Sequence, residues 1–218
     1  RAHPGVDESR RNGVHPDVRT EVPGERLGEV HHCGLARGVG QGLRPGTQSD
    51  DGLSYTIKLR QGIRFSDGQP FSSADVLFSF RAVYDPAVNS SLQSALKING
   101  KPLDVSAPDP HTVVVRLPET FAPGLRLLDN LPVLPKHKLE PALAAGQFAN
   151  EWNPSKPLSD VVGLGPFVLS EHVAGQRVVL TRNPHYFRRD SRGVQLPYVD
   201  RLTLAVVPDQ NTEALRLE

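Results

Sequence analysis

Methionine is absent from this 218-residue chain, cysteine and tryptophan occur once each, and the longest apolar runs are short. A membrane-spanning helix needs about 20 consecutive apolar residues, so none is expected here. The single cysteine, Cys33, cannot form an internal disulfide. The chain starts at Arg1 without a methionine or a charged and then apolar leader. We therefore expect a piece of a longer protein whose secretion signal lies upstream or has been removed.

An excess of charge of one sign is also missing. The chain has 25 Lys and Arg against 24 Asp and Glu, a formal net charge of +1. Residues 1–48 hold seven of the basic and six of the acidic residues, so 18 of each remain in the rest. A neutral chain without aromatic stacking motifs does not match the basic surface that nucleic acids require. Nucleic acids and anionic membranes are therefore not expected as partners.

Residues 1–48 lack aromatic side chains and lysine, and they contain nine glycines. They show no apolar periodicity and carry too little apolar surface to offset the entropy of ordering. We interpret them as a disordered or non-native segment with no strand. One hypothesis is a GC-rich gene read in the wrong frame; a natural disordered linker is the alternative. The frame hypothesis fails if neither other reading frame restores a strand-rich text upstream of Ser49.

After this segment the sequence predicts alternating strands and helices. Tyr55, Ile57 and Leu59 alternate with polar residues, which is typical of a half-buried strand. An Asp-Gly turn follows, and Ser72, three residues before Asp75, is a helix N-cap candidate. An apolar stripe at helical spacing then runs until Pro86 and consists of Val76, Leu77, Phe80, Val83 and Tyr84.

Further elements are predicted along the rest of the chain, with proline or glycine at each joint. They are a strand at 112–117, short helices at 121–129 and 138–145, a hairpin of 166–170 with 177–181, a strand at 201–207, and a helix starting near Asp209 or Asn211. The proline-containing stretch 150–159 has no period and is the best candidate for a subdomain joint.

Four segments resemble a known family, in the family's own order. They are LRQGIRFSDGQPFSSADVLFSF (59–80), LPKH (134–137), GLGPFVLSEHVAGQRVVLTRNPHYF (163–187) and LPYVDRLTLAVVPDQNTEALRLE (196–218). Together they resemble the family 5 extracellular solute-binding proteins, the peptide and nickel receptors of ABC importers. A single Ser-Asp-Gly would carry no information, whereas four ordered segments make the resemblance specific.

The resemblance implies a periplasmic-binding-protein-like α/β fold of type II, of which this chain is part of lobe I only, with a mixed sheet and flanking helices. Residues 49–160 would be the peripheral subdomain of lobe I, and 161–218 the start of its central sheet. Such a receptor holds oligopeptides or a similar small solute in the cleft between two lobes and delivers them to a membrane permease. It would be a monomer outside the cytoplasmic membrane, periplasmic or extracellular, with lipid anchoring of the full-length protein left open.

Candidate ligand-binding residues are few. Asp129 and Asn130 lie between two apolar segments and are the candidates for a cleft edge, with plain turn-forming residues as the alternative. Trp152 is read as a packing anchor or, alternatively, a ligand-stacking residue. Ligand identity is left open, because a shared fold does not fix function.

Catalytic and metal sites are not expected. A hydrolytic triad of Asp67 with His111 or His137 and a serine lacks a Gly-x-Ser-x-Gly elbow. His31, His32 and Cys33 are residue types that bind metals, but no second cluster of such residues follows at a zinc-finger-like spacing. No metal or other cofactor is therefore expected. Gly163-Leu164-Gly165 is read as a tight turn, since Pro166 removes a donor that a phosphate cradle would need. A secreted hydrolase and a nonfunctional fragment of a disrupted receptor gene are kept as the alternative functions.

Overall fold

The computed structural model describes residues 43–122, 124–151, 153 and 156–207. The first 42 residues, the predicted helix after Asp209, and Trp152 therefore lie outside the described part of the chain. Within that part, no helix is both long enough and apolar enough to cross a bilayer.

The first half of the described chain forms a four-stranded antiparallel sheet. Its spatial order is β1-β2-β6-β5. The strands are β1 (Leu43–Gln48), β2 (Ser54–Leu59), β5 (Asp104–Asp109) and β6 (Thr112–Arg116), and a small separate ladder joins β3 (Lys97–Ile98) to β4 (Lys101–Pro102). Because β2 and β6 are the two central strands, their inward-facing residues form the middle of the core.

Strand β1 corrects the expectation that residues 1–48 contain no strand. It pairs with β2 at Leu43↔Leu59 and Gln48↔Tyr55, and its register shifts between Arg44 and Thr47, across Pro45-Gly46. An edge strand makes main-chain hydrogen bonds without needing an apolar alternation, and proline is tolerated at edges and bulges. The segment therefore forms a strand that side-chain patterning alone does not reveal.

Strands β2 and β6 have the predicted alternation. Tyr55, Ile57 and Leu59 are all buried, and Val113 and Val115 oppose them from β6. Thr112 departs from the alternation: it is buried like its neighbour Val113, and its Oγ1 accepts a 2.7 Å hydrogen bond from Lys58 Nζ. Strand β5 was also missed, because its Ala-Pro-Asp-Pro continuation reads as turn residues rather than as a strand.

Helix α1 (Ser73–Tyr84) covers this sheet and begins with the expected cap. Ser72 Oγ accepts from the Ala74 N–H at 3.3 Å, and Asp75 Oδ2 accepts from the Ser72 N–H at 2.9 Å, which completes a capping box. Helix α2 (Lys136–Ala144) begins two residues before its predicted start and packs on α1. A buried apolar cluster forms that contact. It consists of Phe78 and Ala82 of α1, Leu139 and Leu143 of α2, and Leu134 just before α2.

The helix predicted at 121–129 is instead a 3-10 helix at Gly124–Asn130. Gly124, the first residue of this 3-10 helix, has a φ of +53°, which the interior of a right-handed helix does not accommodate, so a continuous helix from Phe121 is excluded. The buried side chain of Leu128 attaches this turn to the main core.

The second half of the chain forms a three-stranded antiparallel sheet of β7 (Phe167–Val173), β8 (Arg177–Arg182) and β9 (Arg201–Ala205), in that order. The hairpin predicted across Ala174-Gly175 is confirmed, with strands longer than expected. Val162 and Leu164, which lead into this sheet, are buried in the core of the first sheet. One hydrophobic core therefore connects the two parts of the chain.

Candidate functional site

Segments that the sequence singled out converge at one place, which we call the motif junction. It consists of the turn at 66–68, His137 at the start of α2, the bend at 163–166 and the turn at 183–185. Ser66 joins the two parts of the chain across it: its N–H donates to Gly163 O at 2.9 Å, and its Oγ accepts from the Gly163 N–H at 3.2 Å. Residues 97 positions apart are thus held together by paired hydrogen bonds.

Asp67 and His137 form the charged contact of the motif junction. His137 Nε2 lies 2.7 Å from Asp67 Oδ2, and the His137 ring packs against the edge of Phe65 at 5.4 Å between centroids. Partial burial alone would raise the pKa of Asp67, but hydrogen bonds from His137 and the Gln69 N–H outweigh it, so the pKa is lowered. Asp67 is therefore a carboxylate near neutral pH.

Asn183 fixes the side of the motif junction that leads into the second sheet. It is fully buried, its Nδ2 donates to Gly165 O at 2.8 Å, and its Oδ1 accepts from the His185 N–H at 2.9 Å. Its own N–H donates to Pro166 O at 2.9 Å. The bend at 163–166 thus presents carbonyl oxygens to Asn183 and leads into strand β7, as the tight-turn interpretation predicts and unlike a phosphate cradle.

Asp75 stabilises two helix starts. Besides capping α1, its Oδ1 accepts from the Lys136 N–H at 3.1 Å, at the N-terminus of α2. Ser79 makes a similar link: its buried Oγ donates to Asp75 O at 2.7 Å and accepts from the Leu134 N–H at 2.8 Å. The sequence showed Asp75 only as a local cap, since no local pattern indicates a partner 61 residues away.

The contacts of the motif junction hold structural elements in position. His137 contacts Asp67 and Phe65, and its described hydrogen bonds include no serine hydroxyl. His111, the other triad candidate, has a buried Nδ1 for which the described residues supply no hydrogen-bond partner. The described residues also contain no group of three or more His, Cys, Asp or Glu able to hold a metal. The motif junction holds the first sheet, α2 and the second sheet in fixed positions relative to one another.

The recesses on the described surface include the three that follow. A groove of about 530 Å³ runs along α1 past Arg81 and Tyr84, and an apolar pocket of about 150 Å³ lies between α1 and α2, beside Phe148. A third, of about 610 Å³, is lined by Lys58, Arg60 and His111 among others. These three are lined by residues between 58 and 151, and the residues of the motif junction line none of them.

The predicted cleft-edge residues are at the end of the 3-10 helix. Asp129 and Asn130 are its last two residues, but their side chains lie outside the described ones. Their role in binding therefore stays a prediction. Trp152 and His31-His32-Cys33 also lie outside the described residues, so the expectations made for them stay untested.

Comparison with known proteins identifies the class of this architecture. The oligopeptide-binding protein AppA of Bacillus subtilis, solved with a nonapeptide, matches with a TM-score of 0.66 and 29% identity over 81% of this chain and 33% of that one. NikZ of Campylobacter jejuni, solved with Ni(L-His), matches with a TM-score of 0.61 and 25% identity over 81% of this chain and 32% of that one. The chain thus has part of a periplasmic-binding-protein fold, which confirms the expected fold class.

The sequence comparisons identify the family. The family model described as bacterial extracellular solute-binding proteins, family 5 Middle, matches residues 29–218. The chain belongs to this family, as its four segments predicted. The match begins inside the segment expected to be disordered or non-native, so that expectation stays a hypothesis for residues before β1.

Curated relatives are considerably longer. Oligopeptide-binding protein AppA of Bacillus subtilis is 30% identical over 172 residues, covering 78% of this chain and 29% of the relative. Protein XP55 of Streptomyces lividans is 33% identical over 193 residues, covering 84% of this chain and 31% of the relative. The chain therefore spans about a third or less of the length of these relatives.

Proposed function

We propose that this chain is part of the substrate-binding component of an ABC importer, which binds oligopeptides or a similar small solute between two lobes and delivers it to a membrane permease. The observation that carries the proposal is the family match over residues 29–218. The peptide-bound AppA structure supports it, because 81% of this chain follows that fold at 29% identity. Binding, closure around the solute and release at the permease make or break no covalent bond.

The class of solute follows from the related structures that hold one. AppA was solved with a nonapeptide and NikZ with Ni(L-His), so peptides and small metal complexes are the two classes to test first. Peptides are favoured, because the peptide-bound relative has the higher identity and the higher TM-score. The receptor would act as a monomer in the periplasm or outside the cell, in agreement with the extracellular family description.

Within this receptor the described residues supply mainly the scaffold. The motif junction would keep the peripheral subdomain in a fixed position beside the central sheet, so that solute contacts made elsewhere in the protein are pre-arranged. Asp129 and Asn130 would form one edge of the cleft and offer polar groups to the solute. The 218-residue chain alone would then bind peptide weakly, since one lobe cannot enclose a ligand.

Calorimetry tests the proposal with two proteins, the complete receptor from the full reading frame and the 218-residue chain. With a mixed peptide library, the complete receptor should bind with micromolar or better affinity, on the order of −8 kcal/mol, whereas the chain alone should show no heat of binding. Micromolar binding by the chain alone would contradict the scaffold role. Absence of peptide binding by the complete receptor would contradict the proposed peptide class, and Ni(L-His) is then the next ligand to test.

Variants of the complete receptor test the cleft edge. Replacing Asp129 and Asn130 together by alanine should weaken peptide binding about tenfold, because one lost hydrogen bond to a charged group is worth about 1.5 kcal/mol or more. Asp50→Ala, which removes an exposed carboxylate before β2, is the control and should leave affinity unchanged. If the native receptor, the double alanine variant and Asp50→Ala bind peptide with equal affinity, then Asp129 and Asn130 form a turn and do not contribute to binding.

A further inference from the structure

The recess of about 610 Å³ lies where strand β2 ends and strand β6 begins. Lys58 of β2 opposes Thr112 of β6, and the Leu59 N–H donates to His111 O at 2.7 Å. Lys58 and Arg60 flank the buried Leu59; both are exposed and both line the recess. Strand pairing therefore brings two cationic side chains and a histidine to one place. We call it the basic recess.

The two cations of the basic recess keep donors that no described carboxylate uses. Lys58 Nζ donates to the Thr112 hydroxyl at 2.7 Å, which occupies one of its three N–H groups. The Arg60 guanidinium lies over the ring of Phe187, with its Cζ 5.8 Å from the ring centroid. Contact with an aromatic ring positions a guanidinium without using its N–H groups in an ion pair. Both side chains can therefore donate to a ligand.

Asp109 supplies the negative charge among the residues that line the basic recess, and protein groups already occupy its carboxylate. Hydrogen bonds from the Thr112 hydroxyl and from the His111 N–H, the latter 2.8 Å long, lower the pKa of Asp109. The nearby charge of Lys58 acts in the same direction. One carboxylate thus faces two cations, and the basic recess keeps a net positive charge.

We propose that the basic recess binds a phosphate group, either as free phosphate or as part of a small organic phosphate. Arg and Lys N–H groups form strong charge-assisted hydrogen bonds with phosphate oxygens. The His111 side chain makes no hydrogen bond with a described residue, and its Nδ1 is buried without a partner there. Its ring is therefore free to turn and add a contact.

This site goes beyond the proposed receptor function and does not depend on it. The residues that line the basic recess include none of the motif junction, and neither Asp129 nor Asn130. A phosphate bound here and a solute bound at the cleft edge would therefore contact different side chains, and the two proposals can fail separately.

The size of the basic recess favours an organic phosphate over the free ion. Small-molecule sites usually occupy about 300–1,000 Å³. The recess, at about 610 Å³, falls within this range. Gln61 also lines it, and its side-chain amide can both donate to and accept from a hydroxyl group. A phosphate carried on a short polar chain would use the cations and this amide together.

Calorimetry on the 218-residue chain, near neutral pH and at low ionic strength, tests the site with glycerol 3-phosphate, inorganic phosphate and glycerol. Both phosphates should bind, and glycerol should release no heat. Tighter binding of glycerol 3-phosphate would identify an organic phosphate as the ligand, whereas equal binding of the two would identify the free ion. No heat with either phosphate, or equal heats with glycerol, would overturn the proposal.

Variants locate the binding. Arg60→Gln and Lys58→Gln should each weaken phosphate binding about tenfold, since each removes a charge-assisted hydrogen bond. Lys101→Gln is the matched control, because it removes an exposed cation of β4 that does not line the basic recess. It should leave the affinity unchanged.

Arg60→Gln decides the outcome if Lys58→Gln loses stability, because the Arg60 side chain makes no hydrogen bond with a described residue. Native affinity in Arg60→Gln would overturn the proposal. An equal loss in Arg60→Gln and Lys101→Gln would also overturn it, since the chain would then respond only to its net charge.

Discussion

At the scale of single residues, the contact between Asp67 and His137 is the clearest case of chemistry at the motif junction. Replacing Asp67 by asparagine keeps the side-chain size but removes the charge. We expect the free energy of unfolding at pH 7 to fall by about 1 kcal/mol, since charge-assisted hydrogen bonds are worth about 1.5–3 kcal/mol and partial solvent exposure reduces this. Urea denaturation measures this change in the free energy of unfolding. Asp50→Asn, which removes an exposed carboxylate, is the control.

The same variant gives a prediction for pH. The pKa of Asp67 is lowered in the folded protein from its usual 3.8, because the hydrogen bonds outweigh the opposing effect of burial. A carboxyl with a depressed pKa contributes stability that is present above pH 3.8 and is lost as pH falls through the folded pKa. The stability difference between the native chain and Asp67→Asn should therefore shrink as pH falls below 3.8. A difference that stays constant into strong acid would contradict the lowered pKa.

At the scale of elements, Gly124 lies where the start of the 3-10 helix approaches Tyr55 of the first sheet. Its φ is +53°, and a methyl group at its Cα would lie 2.9 Å from Tyr55 Oη. Gly124→Ala should therefore add a steric clash to the backbone strain of a left-handed residue. Gly146 is the matched control, with a φ of +67° and open space where its methyl would go. Thermal unfolding should show Gly146→Ala losing about 1 kcal/mol and Gly124→Ala about 2–3 kcal/mol.

A rescue experiment separates the clash from the strain. Tyr55→Phe removes the hydroxyl that the new methyl would approach, so it should recover part of the loss in Gly124→Ala. The hydroxyl also accepts a 2.9 Å hydrogen bond from Gln48 Nε2, so Tyr55→Phe alone must be measured as the reference. If the effects of the two substitutions simply add, then Tyr55 does not limit the space at Gly124.

The elements that the sequence predicted are those whose signal is local. Strand β2, helix α1 with its cap and the β7–β8 hairpin each carry their own pattern of alternation, helical spacing or turn residues. Strands β1 and β5 were missed because main-chain pairing with β2 and β6 stabilises them despite prolines in their sequences. The contacts of Asp67 with His137 and of Ser66 with Gly163 were also missed, since they join residues 70 and 97 positions apart and no local pattern encodes them.

At the scale of the whole molecule, the shared core makes the two parts of the chain interdependent. Val162 and Leu164 are buried among residues of the first sheet, and Phe187 packs against the same cluster. The paired hydrogen bonds between Ser66 and Gly163 add a polar link at the same place. Residues 161–187 should therefore unfold together with the first sheet rather than as an independent unit.

Strand β9 should behave differently, because all five of its residues are exposed. It still pairs with β8 along its whole length, but it is an edge strand, so only alternate amides are hydrogen-bonded to β8 and these are little buried. Opening of such a strand requires little loss of apolar contact, and exchange free energies in one protein span from about zero to the global value. We expect the amides of β9 to exchange well before those of β2 and β6.

Native-state hydrogen exchange measured over a series of low urea concentrations tests both expectations together. Amides of Ile57, Val113 and Asn183 should converge on one free energy, because they report the opening of a single core and the Asn183 N–H donates to Pro166 O. Ser66→Ala should lower that shared value at all three positions, since the Gly163 N–H would lose its acceptor in a half-buried site. A drop confined to Asn183, with Ile57 and Val113 unchanged, would show that the second sheet opens on its own and that the two parts are joined only by the chain.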